Sequence, residues 1–235
     1  MNSENLKIEQ LSSLLDKKWK LIDYDERNAM YLSQKFQLSS IIGKLLSIRN
    51  IKEEDIDFYL YPNINHHIPN PNKIKDMDIA TKRVVEAINK NQRIGIIADY
   101  DVDGSTSASI LYKFLKNYNP SITLKIPNRL VDGYGPNLKI MRELQLNNVD
   151  LLFTLDCGTT ANNIIDSEEF KKIDVIVIDH HLSELELPNV HSIINPNRLD
   201  DESDYNQLAA VGVTFLFLMS LRKELRNHNK FIQKK

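Results

Sequence analysis

The sequence predicts an α/β protein, a parallel β-sheet flanked by helices, with an N-terminal helical lead segment. Three observations predict it. From about residue 76, five short apolar runs alternate with stretches of helical spacing. The runs are almost continuous Val, Ile and Leu, as expected of strands covered on both faces. Each run is followed by a polar cluster, and in such sheets ligands bind outside the carboxyl ends of the strands.

The elements follow in chain order. Residues 1–75 read as the helical lead, with Leu38, Ile41, Ile42, Leu45 and Leu46 spaced to form one buried stripe. Residues 61–71, rich in Asn and Pro, form a loop in which His66 and His67 read as surface residues. A second domain is expected over 76–226, opening with a helix marked by Ile79, Val84, Val85 and Ile88. Strands are expected at 94–98, 122–126, 151–155, 175–178 and 192–194. Helices are expected at 105–117, 137–146, 160–171 and 207–226. Residues 227–235 read as a basic, polar tail.

The composition excludes several classes. The 235 residues carry 30 Lys and Arg against 32 Asp and Glu, so no bulk basic field draws the chain to nucleic acid, and such binding needs local patches or metal ions. With 42% hydrophobic residues the chain can bury a core. The single cysteine, Cys157, excludes an internal disulfide and suits a reducing compartment. The charged N-terminus is not a signal peptide, and no apolar stretch reaches the roughly 18 residues of a membrane span. A cytoplasmic protein is expected.

The clusters after the strands carry the chemistry. They are Asp99-Tyr100-Asp101-Val102-Asp103-Gly104, Asn128-Arg129, Asp156-Cys157-Gly158-Thr159, Asp179-His180-His181 and Asn195-Pro196-Asn197-Arg198. Aspartates gathered on one rim repel unless a cation neutralises them. Carboxylates with one or two imidazoles suit Mn²⁺ or Mg²⁺ better than structural zinc. Bridging carboxylates can hold two metals roughly 3.5–4 Å apart, an arrangement that hydrolyses phosphate esters. Arg129 is placed to clamp a phosphate.

Plainer readings stand beside these. The first motif starts like an EF-hand loop, but Ile110 occupies the position that needs Glu. Asp101-Val102-Asp103-Gly104-Ser105-Thr106 after a strand also resembles the aspartyl-phosphate motif of haloacid-dehalogenase-type phosphatases, which does not explain Asp179-His180-His181. Asp156 is equally a helix N-cap, and Asp132-Gly133-Tyr134-Gly135 is a turn by composition. Cys157 reads as a packed side chain, with no base beside it.

In their order, the Asp-Tyr-Asp-Val-Asp-Gly, Asp-Cys-Gly-Thr and Asp-His-His motifs resemble the DHH phosphoesterases. Ile126-Pro127-Asn128-Arg129, Asn195-Pro196-Asn197-Arg198 and 208–213 make the likeness closest to the RecJ-like branch, bacterial single-stranded-DNA-specific 5′-to-3′ exonucleases. The resemblance spans about 38–225. It implies Asp101, Asp103, Asp156 and His180 as metal ligands and Asp99 and Asp179 as supports or outer ligands. His181 is implied at the scissile phosphate, and Arg129 and Tyr134 along the substrate path. It further implies Mn²⁺ or Mg²⁺, single-stranded DNA as substrate, nucleoside 5′-monophosphates as products, and roles in repair and recombination. Such proteins continue with a strand whose Asp completes the metal site, a second domain and an OB-fold. The chain is therefore expected to be a truncated or split form, weak or inactive alone, with apolar surface exposed around Val211–Leu221 and a separately encoded C-terminal half as a candidate partner. Two other readings remain: a DHH enzyme for pyrophosphate, oligoribonucleotides or cyclic dinucleotides, and a non-enzymatic remnant.

Overall fold

A computed structural model of the chain describes residues 17, 20, 22–64, 68–119 and 121–228. It divides into two compact units, Met1–Ile68 and Pro69–Lys235. In the first, α1 (Glu26–Lys35) starts at Asp25, whose side chain accepts the N–H groups of Arg27 and Asn28. Ser39 caps α2 (Ser40–Ile48) in the same way. Leu32, Leu46 and Ile56, the last from α3 (Ile56–Leu60), form the buried centre. The buried stripe is narrower than expected. Leu46 is buried and Ile42 packs against it, but Ile41 and Leu45 face solvent because α2 turns Gly43, Leu46 and Ser47 inward.

The second unit begins with α4 (Met77–Asn89) and builds a five-stranded sheet in the order β2-β1-β3-β4-β5. The strands are β1 (Ile94–Ala98), β2 (Ile122–Lys125), β3 (Leu151–Leu155), β4 (Asp174–Ile178) and β5 (Ser192–Ile194). All pairings are parallel, with Ile94 opposite both Ile122 and Leu151, and Ile176 opposite Ser192. The apolar runs have the expected cause, since every residue of β1 and β3 is buried. On one face, Ile97, Leu152, Val175 and Val177 pack with Ile140, Met141 and Leu144 of α6 (Leu138–Leu146). The alternate residue Phe153 meets Phe217 of α8 (Ala210–Asn227) edge-on, with ring centres 5.8 Å apart.

Three expectations are corrected. The helix expected at 105–117 is α5 (Val102–Leu115): it starts three residues earlier, so Asp103 lies in its first turn rather than in a loop. The helix expected at 160–171 is a single turn, α7 (Asn162–Ile165), then a 3₁₀ turn Glu168–Phe170. Ser167 interrupts them by accepting the N–H of Glu169. The expected apolar exposure near Val211–Leu221 is not found. Val213, Leu216, Phe217 and Leu221 are buried, and only Phe215 of that stretch is substantially exposed. His66, His67 and the tail beyond His228 lie outside the described residues. Among the described residues no helix is long and apolar enough to cross a membrane.

Candidate active site

The chain leaves β1 for the edge strand β2 and returns to β3 on the opposite side of β1. The connections therefore part between β1 and β3, leaving a crevice at the carboxyl edge, the usual ligand position in an open parallel sheet. Asp99 and Asp156 follow the two strands that flank it. Their backbones extend the sheet by one rung: Asp99 N–H donates to Leu155 O at 3.1 Å and Asp156 N–H to Ile178 O at 2.9 Å. Asp179, after β4, donates to Ile194 O at 3.1 Å.

The first motif is divided among three tasks. Asp101 caps α5, its Oδ1 accepting Gly104 N–H at 3.0 Å, and this bond holds its carboxyl below the usual range. Gly104 is required by close approach: a Cβ there would lie 2.4 Å from Asp99 O. Asp103 reaches across the fold to α8, accepting Ala210 N–H and Val211 N–H at 2.7 Å each. Asp99 is buried, its Oδ1 has no hydrogen-bond partner among the described residues, and burial pushes its carboxyl up.

Asp156 adopts a left-handed backbone at φ 59°, uncommon without glycine. The Tyr134 hydroxyl donates to its carbonyl at 2.8 Å. Asp156 Oδ1 is buried, accepts no hydrogen bond from the described residues and lies 3.3 Å from His180 Nε2. Burial, then the carboxylates of Asp103 and Asp101, push Asp156 up to about 8. Asp179 is different. Burial acts to raise it, but hydrogen bonds from His181 and Thr159 prevail and hold it at about 2. Its Oδ1 also accepts the N–H of His180 and of His181. The hydrogen bond to Asp179, 2.7 Å from His181 Nδ1, raises His181 to about 8. Asn195 Nδ2 donates to His181 O and Thr159 Oγ1, each at 2.9 Å, and Asn197 donates to His180 O, so the loop after β5 fixes the Asp-His-His turn.

Among the described residues two potential ligand sets result: Asp99, Asp101 and Asp156, and Asp156, His180 and His181, with donor atoms within 4.8 Å in each. Asp156 belongs to both, as a carboxylate bridging two cations would. The donors fit a divalent metal. The orphaned oxygens of Asp99 and Asp156 are buried acceptors without donors, and an all-oxygen and imidazole set suits Mn²⁺ or Mg²⁺.

Most of the residues expected from sequence therefore meet. Asp103 stands at the margin, 3.6 Å from His180 Nε2, with both oxygens bound to α8. Asp99, expected as a support, stands within the inner acids. Tyr134 adjoins His181 edge-on, with ring centres 6.1 Å apart. Arg129 is exposed, its guanidinium 5.4 Å from the Tyr100 ring centre. Arg198 is committed elsewhere, to Asp76, Asp200 and Ile193 O. Cys157 is buried and donates to Leu155 O, so it is a packing residue. Sequence reasoning placed Asn195 and Asn197 on the rim without seeing that they hold the histidines; their position after a strand was the available signal.

Residues 93–235 match the family model described as DHH family, N-terminal domain. The chain belongs to the DHH family. The single-stranded-DNA-specific exonuclease RecJ of Bacillus subtilis is 29% identical over 218 residues, 88% of this chain and 26% of that protein. RecJ of Escherichia coli K12 is 31% identical over 160 residues, 68% of this chain and 28% of that protein. The DHH chain thus spans about a quarter of the length of these relatives. A crystal structure of RecJ bound to manganese aligns with a TM-score of 0.59 at 31% identity, over 65% of this chain and 38% of that one. RecJ of Thermus thermophilus with Mn²⁺ shares the fold, with a TM-score of 0.65 at 22% identity over 88% of this chain and 28% of its own.

Proposed function

We propose that this DHH-family chain is a metal-dependent phosphodiesterase that removes nucleoside 5′-monophosphates from the 5′ end of single-stranded DNA, in the cytoplasm, in repair and recombination. The observation that carries the reading is the pair of acid and imidazole clusters sharing Asp156, in a chain similar to RecJ.

Asp99, Asp101, Asp156 and His180 would hold Mn²⁺ or Mg²⁺, with Asp103 adjoining. When bound, the metals supply a lowered water pKa and neutralise charge on the phosphate. The protein's own groups do the rest. Asp179 fixes Nδ1 of His181 and favours its cationic form, leaving Nε2 to donate to a phosphate oxygen. Tyr134 holds the carbonyl of Asp156 and so sets the angle of that carboxylate. Arg129, exposed and planar, suits bidentate contact with a second phosphate.

The test is hydrolysis of 3′-labelled single-stranded DNA carrying a 5′-phosphate, with Mn²⁺ or Mg²⁺, beside Asp101→Ala. Weak stepwise shortening from the 5′ end, absent in the variant, is expected. Turnover of pyrophosphate or a cyclic dinucleotide in preference to the strand would overturn the substrate assignment.

A further inference from the structure

Beside the acids, along the first two turns of α5, lies an open groove of about 540 Å³ lined by Tyr100, Asp101, Val102, Ser105, Thr106 and Ser109. Val102 is 84% exposed, a branched aliphatic presented to solvent at the start of a helix. Two of the hydroxyls lining the groove are already committed: Thr106 donates to Val102 O, and Ser109 donates to Ser105 O at 2.8 Å. Those two residues therefore offer carbon surface rather than free protons. At one end, Asp101 is shared with the acid cluster. Tyr100 carries the Arg129 guanidinium over its ring.

We propose that this groove seats an unpaired nucleobase adjoining the phosphate held at the acid cluster, and that it does so without reading which base is present. The proposal rests on the phosphodiesterase reading above and deepens it. Each part of the groove matches one part of a nucleotide. The Val102 and Thr106 surface accepts a base face, which all four bases have, so stacking there is tolerant of sequence. Identity is read through hydrogen bonds to base edges, and the committed hydroxyls of Thr106 and Ser109 reduce that readout. Arg129 supplies the positive charge that the flanking phosphate needs beside so many carboxylates. A paired base would have to leave its stack to enter, which favours single strands.

The test uses the full chain with Mn²⁺ and phosphorothioate-linked 12-mers, which resist hydrolysis. 2-Aminopurine is moved one position at a time from the 5′ end, and its fluorescence reports stacking. Quenching confined to one position is expected, and loss of that quenching in Val102→Asp. An abasic residue at that position should weaken binding about fivefold, as loss of one stacked base does, while exchange among the four bases should change it less than about threefold. The abasic comparison is independent of how the variant folds. Strand binding that is the same with and without the base overturns the groove assignment and leaves the phosphodiesterase reading intact. Failure to bind any single strand overturns both. A strong preference for one base overturns the claim that the groove is blind to sequence.

Discussion

Asp103 Oδ2 accepts the backbone N–H of Ala210 at 2.7 Å, across 107 residues of sequence. The other oxygen accepts Val211 N–H, and α8 has no side-chain cap of its own at Ala209. One acid of the first motif therefore does the work of a helix cap supplied from a distant part of the chain. Asp103→Ala should lower stability by about 1–2 kcal/mol, typical of a lost cap. Asp103→Asn, which keeps one acceptor, should lose less. Urea unfolding of the two variants checks this, and an Asp103→Ala chain as stable as the parent would remove the cap from the argument.

The orphaned oxygen of Asp156 makes the acid cluster a source of strain when no cation is bound. In EDTA, Asp156→Asn should be more stable than the parent by about 1 kcal/mol, because the cost of burying an ionisable carboxyl among other acids is gone. Mn²⁺ at a hundred times its dissociation constant should stabilise the parent by about 2.7 kcal/mol and the variant by far less. Thermal melts with and without Mn²⁺ give both numbers. Equal stabilisation of the two chains would place the cation elsewhere.

Gly104 and Gly133 separate crowding from backbone conformation. A Cβ at Gly104 would strike Asp99 O, whereas one at Gly133 meets nothing but must sit at φ +79°. Gly104→Ala should cost about 2–3 kcal/mol and displace the start of α5 from β1. Gly133→Ala should cost about 1 kcal/mol. Denaturant midpoints of the two variants test the ordering.

Arg198 gives the fold an acid-sensitive joint. Its guanidinium holds Asp76 and Asp200, and the hydrogen bond from Arg198, then that from Lys75, brings the Asp200 carboxyl down to about 2. The lowered value means that this contribution is present above the unfolded carboxylate range, near pH 4, and fades as pH falls towards about 2. Asp200→Asn should therefore melt below the parent at pH 6, with the gap narrowing steadily as pH falls from about 4 to about 2. Asp200 is half exposed, so the gap at pH 6 should be below about 1 kcal/mol. A gap that widens in acid would contradict the assignment.

The sheet was legible because its strands are buried on both faces and so read as unbroken apolar runs; Leu151–Leu155 is such a run. The start of α5 was not, because Asp101-Val102-Asp103-Gly104 has the composition of a turn. Only the folded chain shows that Asp101 is the cap and that glycine is there for Asp99 O. The aspartates and histidines of the site were legible as residue types following strands. Their division of labour was not. The bond from Ala210 to Asp103 and the anchoring of His180 and His181 by Asn197 and Asn195 join segments that sequence periodicity treats separately. The short turns of 160–171 show the converse: an apparently helical stretch yields where Ser167 offers the backbone a nearer partner.

The main-chain rungs at Asp99, Asp156 and Asp179 join residues at the ends of β1, β3 and β4 to β3, β4 and β5. Such rungs part only when the strands do. The amides of these aspartates should therefore exchange with deuterium on the timescale of unfolding of the whole unit, while those of the exposed Leu130–Val131 tip, bonded only locally to Asn128, exchange much sooner. The durability of the acid cluster's geometry is then the lifetime of the sheet itself, and heat should abolish the cluster and the fold in one step.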